Sequence, residues 1–183
     1  SVPALTDRDR ADVELAAELG LDFLAVSFAR SAADMHETRA LLRKSGSGAG
    51  LVAKIERAEA ISALGEIIDA SDVVMVARGD LGVELGFERL AEVQEEILWL
   101  CEAAHLPVVW ATQVLENLAK KGLPSRAEVT DAAMGGRAEC VMLNKGPHVV
   151  EAVRFLCGVL ARMQGHVAKK SSLLRELRVS HSV

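Results

Sequence analysis

Four short stretches of the chain carry residues that could act together on one ligand. In Ala53-Lys54-Ile55-Glu56 an amine and a carboxylate stand two residues apart, so on an extended strand both project to one face and Ile55 to the other. In Ala77-Arg78-Gly79-Asp80-Leu81-Gly82 an acid is flanked by glycines that permit close backbone approach. Thr112 adds a hydroxyl, and Ser27 adds another with Arg30 just beyond it. Two carboxylates aimed at one point repel, and a divalent cation with oxygen ligands relieves that repulsion. Glu56 and Asp80 are therefore the expected metal ligands, and Mg2+ or Mn2+ the expected ion. Lys54 beside them would be a point charge for a phosphate or an enolate oxygen. The Gly79 and Asp80 amides, expected in a loop ahead of the next helix, could bind a substrate carboxylate.

Singly, these signals are weak. A Lys-x-Glu at a strand end is more often a solvated surface pair, and a glycine-flanked Asp is more often a turn residue or a helix cap. Their weight comes from where they fall. Five apolar, partly β-branched runs read as buried strands: Asp22 to Phe28, Leu51 to Ile55, Asp72 to Ala77, Pro107 to Thr112 and Cys140 to Leu143. Each gap between them holds a segment of helical period. Thr6 and Ser31 are expected N-caps, Pro147 is expected in a first helical turn, and Gly20, Gly46 and Gly135-Gly136 mark expected helix ends. Alternating strands and helices imply a parallel sheet, and ligands of such sheets bind at the carboxyl ends of the strands. Every candidate residue falls at such an end.

Two architectures accommodate this order, an open doubly wound sheet or part of a (β/α)8 barrel. A whole barrel takes ~250 residues, so five βα units read as a barrel are incomplete, with apolar edge strands that need a partner. His36 and His105 are expected on helices as surface or packing residues, and of His148, His166 and His181 only His148 lies near the rim.

The chain has 183 residues, half of them apolar and 26% charged, with 21 Lys+Arg against 26 Asp+Glu for a net charge of −5. That excludes disorder as the main state. An acidic balance with no Tyr, four Phe and two Trp offers neither the charge nor the stacking surface of a nucleic-acid binder. No apolar run approaches the ~20 residues that span a bilayer, and Ser1-Val2-Pro3 does not open a signal peptide. Neither nucleic acid nor membrane is an expected partner. Three spaced cysteines, Cys101, Cys140 and Cys157, lack the pairing of a zinc site and suit a reducing cytoplasm. A start at Ser1 rather than Met is read as the cut or processed end of a longer chain.

Several segments, in order, resemble the pyruvate kinase family: Leu5-Thr6-Asp7-Arg8-Asp9, Val26-Ser27-Phe28-Ala29-Arg30, Lys54-Ile55-Glu56, Met75 to Glu84 (MVARGDLGVE), Ala111 to Glu116 (ATQVLE) and Pro124 to Glu128 (PSRAE). The resemblance covers residues 5 to about 163. It implies a (β/α)8 barrel of the TIM type, of which this chain holds about the last five βα units, with residues 1–168 as the partial catalytic barrel and 169–183 as a tail. It implies transfer of phosphate from phosphoenolpyruvate to ADP, giving pyruvate and ATP. Lys54 and Thr112 would then be catalytic, Lys54, Ser27, Gly79, Asp80 and Thr112 would bind substrate, and Glu56 and Asp80 would bind Mg2+ or Mn2+. A K+ site and most of the nucleotide site are implied in the part preceding Ser1. A homo-oligomer, or association with the missing half-barrel, is implied as well, in the cytoplasm.

One departure is marked. Where the family usually carries Ser-Gly-Glu-Thr-Ala, this chain reads Leu143-Asn144-Lys145-Gly146-Pro147-His148, so a hydroxyl relay for enolate protonation is not expected there. Half a rim is expected to turn over little or no substrate alone. Two other readings compete: a Mg-dependent lyase or aldolase of pyruvate-like substrates, and a catalytically silent barrel domain kept for assembly.

Overall fold

The computed structural model describes residues 5 to 167, with His166 and Val167 described by backbone alone. The expected tail, 169–183, with its LLREL segment and His181, lies outside the described residues. In chain order the elements are α1 (Asp7–Glu18), β1 (Phe23–Val26), α2 (Ala32–Lys44), β2 (Gly50–Ile55), α3 (Ala58–Ser62), α4 (Leu64–Asp69), β3 (Val73–Ala77), α5 (Arg78–Leu85), α6 (Phe87–Ala103), β4 (Val108–Ala111), α7 (Glu116–Lys121), α8 (Arg126–Met134), a 3-10 turn (Gly135–Arg137), β5 (Cys140–Val141) and α9 (Val149–Val167).

All five expected strands are present and pair in parallel. Their order in the sheet is β1-β2-β3-β4-β5. A doubly wound sheet needs a point where that order reverses, and the described strands have none.

The register sorts the strand residues into two faces. Leu24↔Leu51, Val26↔Ala53↔Val74↔Val108 and Ile55↔Val76↔Trp110↔Val141 share one. Leu51, Ala53, Ile55, Val74, Val76 and Trp110 are wholly buried there, together with Met35, Ile67 and Ile97 of the surrounding helices. This is the main core. The other face runs through Phe23↔Gly50, Val52↔Val73, Lys54↔Met75↔Val109↔Cys140 and Ala77↔Ala111. Much of it is open: Phe23 is 58% exposed, and Val73, Met75 and Val109 are only half-buried. Lys54 and Ile55 therefore project to opposite faces, as their spacing predicts.

Helix boundaries follow local chemistry. At α1, Thr6 Oγ1 accepts from Asp9 N while the Asp9 carboxylate accepts from Thr6 N, a capping box. At α2, the Asp34 carboxylate accepts from Arg30 N and Ser31 N. Gly20 and Gly46 take left-handed φ of 64° and 75° just past the ends of these helices, which glycine adopts without steric cost.

Three expectations change. The β1 and β4 runs stop at Val26 and Ala111, because Phe28 and Thr112 turn to φ of 55° and 64°. His105 lies beyond the end of α6 with φ of 54°, and the next amide, Leu106 N, donates back to Cys101 O as in a Schellman close. Pro147 sits in a turn two residues ahead of α9, closed by Val149 N donating back to Gly146 O.

Candidate active site

At the carboxyl ends of β1 and β2, three predicted residues meet. Lys54 Nζ donates to Ser27 Oγ at 2.8 Å and pairs with Glu56 Oε1 at 2.6 Å. The other Glu56 oxygen accepts from Phe28 N at 2.8 Å. Glu56 is only 2% exposed, so the pair is not the solvated surface feature that its tripeptide alone suggests. Its carboxylate holds the left-handed turn at Phe28, and that turn places Ser27 beside the amine.

At the ends of β3 and β4, the structure corrects one placement. Gly79 and Asp80 are not in a loop; α5 starts at Arg78, so both sit in its first turn. The Gly79 amide donates to Thr112 Oγ1 at 2.8 Å. Two groups expected to meet substrate separately are thus bonded to each other. Asp80 is exposed at the start of the helix. No described contact joins it to Glu56, but Arg57, the next residue after Glu56, pairs with Glu84 at 3.2 Å. Asp80 and Glu84 are one helical turn apart and share a face, so α5 turns its acidic side toward the exit of β2.

Among the described residues, no cluster of three His, Cys, Asp or Glu side chains is placed to hold a metal ion. This donor set does not form an all-protein cage. It does fit an ion that takes one or two carboxylates and fills its remaining positions with water and substrate oxygens, as Mg2+ does.

Four residues that hold this rim were not singled out from the sequence: Arg78, Glu128, Asp131 and Asn144. Arg78 Nε donates to Ala111 O at 2.9 Å and Nη2 to Thr112 O at 2.6 Å, both terminal nitrogens reach the Asp131 carboxylate, and the guanidinium lies 4.4 Å from the Trp110 ring centroid. Glu128 accepts from Ser125 N, capping α8, and from Asn117 N at the start of α7. Burial alone would push the Glu128 carboxyl up, but those two backbone donors outweigh it and hold it below its ordinary value of 4.5. A depressed carboxyl stabilises the fold above the unfolded pKa and loses that contribution as pH falls through the folded one. Acid unfolding should therefore be shallower in Glu128→Gln than in the parent below the ordinary carboxyl value of 4.5, measured as urea midpoints across an acid series. Equal slopes would show that Glu128 contributes nothing to acid stability.

The loop from Leu143 to His148 is seated on α7. A Cβ at Gly146 would lie 2.2 Å from Ala119 O and 2.6 Å from Ala119 C, and backbone atoms cannot yield as a flexible side chain can. Gly146→Ala is expected to lift the loop from α7 and cost about 2 kcal/mol, seen as a lower urea midpoint. A midpoint equal to the parent's would show that the loop can shift freely. His148 packs against Gly122 at the end of α7, and His36 is exposed on α2.

The family model described as "Pyruvate kinase, barrel domain" matches residues 1–152, which include every described strand and both rim clusters. The chain belongs to the pyruvate kinase family. Pyruvate kinase of Haemophilus influenzae is 48% identical to it over 136 residues, covering 73% of this chain and 28% of that protein. Pyruvate kinase of Dictyostelium discoideum is 39% identical over 165 residues, covering 87% and 32%. That of Corynebacterium efficiens is 40% identical over 186 residues, covering 97% and 39%. The chain thus spans about a third of the length of these pyruvate kinase relatives. No described helix is long and apolar enough to cross a membrane.

Proposed function

We propose that this chain forms the last five βα units of a (β/α)8 barrel and carries the phosphoenolpyruvate-binding part of a pyruvate kinase-type site. The unreversed strand order and the half-open sheet face carrying Phe23, Val73, Met75 and Val109 support the barrel. A sheet wound in one direction gathers its helices on one face and leaves the other to line a barrel interior. Edge strands β1 and β5 would be paired by further strands.

The observation that carries the function is Lys54 Nζ, held between Ser27 Oγ and Glu56 Oε1 at the rim where Thr112 and Gly79 also sit. The reaction proposed is phosphate transfer from phosphoenolpyruvate to ADP, yielding pyruvate and ATP. Lys54 puts a compact positive charge beside the moving phosphoryl group and the enolate oxygen left behind. Thr112 Oγ1, held by the Gly79 amide on the first turn of α5, keeps its own O–H to donate to a substrate carboxylate beside the Asp80 amide. Glu56 and Asp80 would hold Mg2+ or Mn2+, which supplies charge neutralisation at the phosphoryl oxygens. K+, the rest of the nucleotide site, self-association and a cytoplasmic setting belong to the same proposal. The names and identities of the relatives favour it over the lyase reading.

The test is calorimetric binding of oxalate, a stable mimic of enolpyruvate, with and without Mg2+. The parent chain should bind only with Mg2+, and Glu56→Gln should weaken that binding about tenfold or more, because a neutral amide is a poor ligand for a hard cation. Binding that ignores both Mg2+ and the Glu56 substitution would end the proposal. Alone, the chain is expected to turn over little phosphoenolpyruvate.

A further inference from the structure

We propose that Asn144, in the loop between β5 and α9, is a positioning residue that holds Thr112 against Gly79. The turn leaving β4 is unusual. Thr112, Gln113 and Leu115 have φ of 64°, 59° and 48°, three non-glycine residues in the left-handed region within four positions. Each is a strained conformation for a side-chain-bearing residue, so the turn persists only if its surroundings hold it.

The two halves are held differently. Val114 and Leu115 are wholly buried, which fixes the far half by packing. Thr112 is half-buried and Gln113 exposed, so the near half depends on hydrogen bonds. Arg78 Nη2 donates to Thr112 O at 2.6 Å, and the Gln113 amide donates to Asn144 Oδ1 at 3.1 Å. Asn144 is itself anchored, because its Nδ2 donates to Glu116 Oε1 at 3.2 Å and its loop is seated through Gly146 on Ala119.

The consequence reaches the rim. Fixing the peptide between Thr112 and Gln113 fixes the direction of the Thr112 side chain, whose Oγ1 accepts from Gly79 N at 2.8 Å. Gly79 shares its helical turn with Asp80. A side-chain amide suits this task because it accepts through one atom and donates through the other. Asn144 therefore acts through Thr112 and not on the reacting atoms. The ligand it serves rests on the reading given under Proposed function; the positioning itself is internal to the chain.

Residue-resolved amide hydrogen exchange on the chain tests this. In Asn144→Ala, the Gln113 and Gly79 amides should both exchange about tenfold faster, while core amides such as Ile97 and Cys101 keep the parent rates. If only Gln113 loosens and Gly79 stays at the parent rate, Asn144 merely packs its loop and the proposal fails. A reversed pair supplies the second arm and serves if the alanine variant does not fold. Asn144→Asp keeps the acceptor for Gln113 but sets two carboxylates together, and should expose Gly79. Adding Glu116→Gln restores a donor and should return Gly79 to within about twofold of the parent. Absence of that rescue counts against the proposal. Oxalate with Mg2+ separates the two readings: if the parent binds it, Asn144→Ala should weaken it about tenfold and the reversed pair should restore it, and unchanged affinity in Asn144→Ala overturns the role. If the parent binds none, the site reading fails and the exchange rates at Gly79 still decide.

Discussion

Lys54→Met is expected to slow phosphate transfer from phosphoenolpyruvate to ADP about 10^3-fold in any assembly of this chain that is competent for turnover. The amine is held at two points, by Ser27 Oγ and Glu56 Oε1, so little reorganisation is needed when charge builds on the phosphoryl group and the enolate. Donors fixed in advance contribute most in the transition state, and losing one costs on the order of 10^2 to 10^3 in rate. Methionine keeps the length and apolar stem of the side chain and removes only the charge and its donors. Lys54→Arg should recover part of the rate, because it returns the charge without the compact geometry. Oxalate affinity should fall less than the rate, since a ground-state mimic does not develop the full charge. ATP formation per chain at saturating substrates is the measurement, and a Lys54→Met rate within threefold of the parent would exclude Lys54 from the chemistry.

Short-range periodicity made part of this site legible in the sequence. Lys54 and Glu56 share a face because side chains alternate along a strand, and Ser27 lies one residue beyond the pair Val26↔Ala53, level with Lys54. The βα order likewise needed only apolar runs and helix caps such as Thr6. Position within a motif misled at Gly79 and Asp80. Glycines suggested a loop, whereas α5 begins at Arg78 without an intervening turn. The supports of the rim were invisible for a different reason. Arg78 and Asp131, Gln113 and Asn144, and Asn117 and Glu128 are pairs brought together by folding, and no spacing rule links residues that far apart. A signal for Glu128 did exist, in Ser125-Arg126-Ala127-Glu128, which has the form of a capping box. Its second contact, to Asn117 N, is what ties α8 to the start of α7.

The same contrast sets the largest stability effect. Arg78→Ala is expected to lower the unfolding free energy by about 3 kcal/mol, because four partners lose it at once. Asp131 would keep a carboxylate without its guanidinium, Ala111 O and Thr112 O would lose their donors, and the Trp110 ring would lose its cap. The Arg78 side chain is 11% exposed and Asp131 26%, so water compensates these losses only in part, and breaking a buried pair from one side costs several kcal/mol. Arg78→Lys should recover less than half of the loss. An ammonium has the charge, but it cannot lie flat on the indole, face a carboxylate with two parallel donors and still reach two carbonyls. Removing the stranded acid as well, in Arg78→Ala with Asp131→Ala, should cost less than the two single losses added together, because the paired term is counted twice in that sum. Urea midpoints at constant slope measure all four chains. Strict additivity, or an Arg78→Lys chain as stable as the parent, would show that the guanidinium holds neither the carboxylate nor the left-handed turn that carries Thr112.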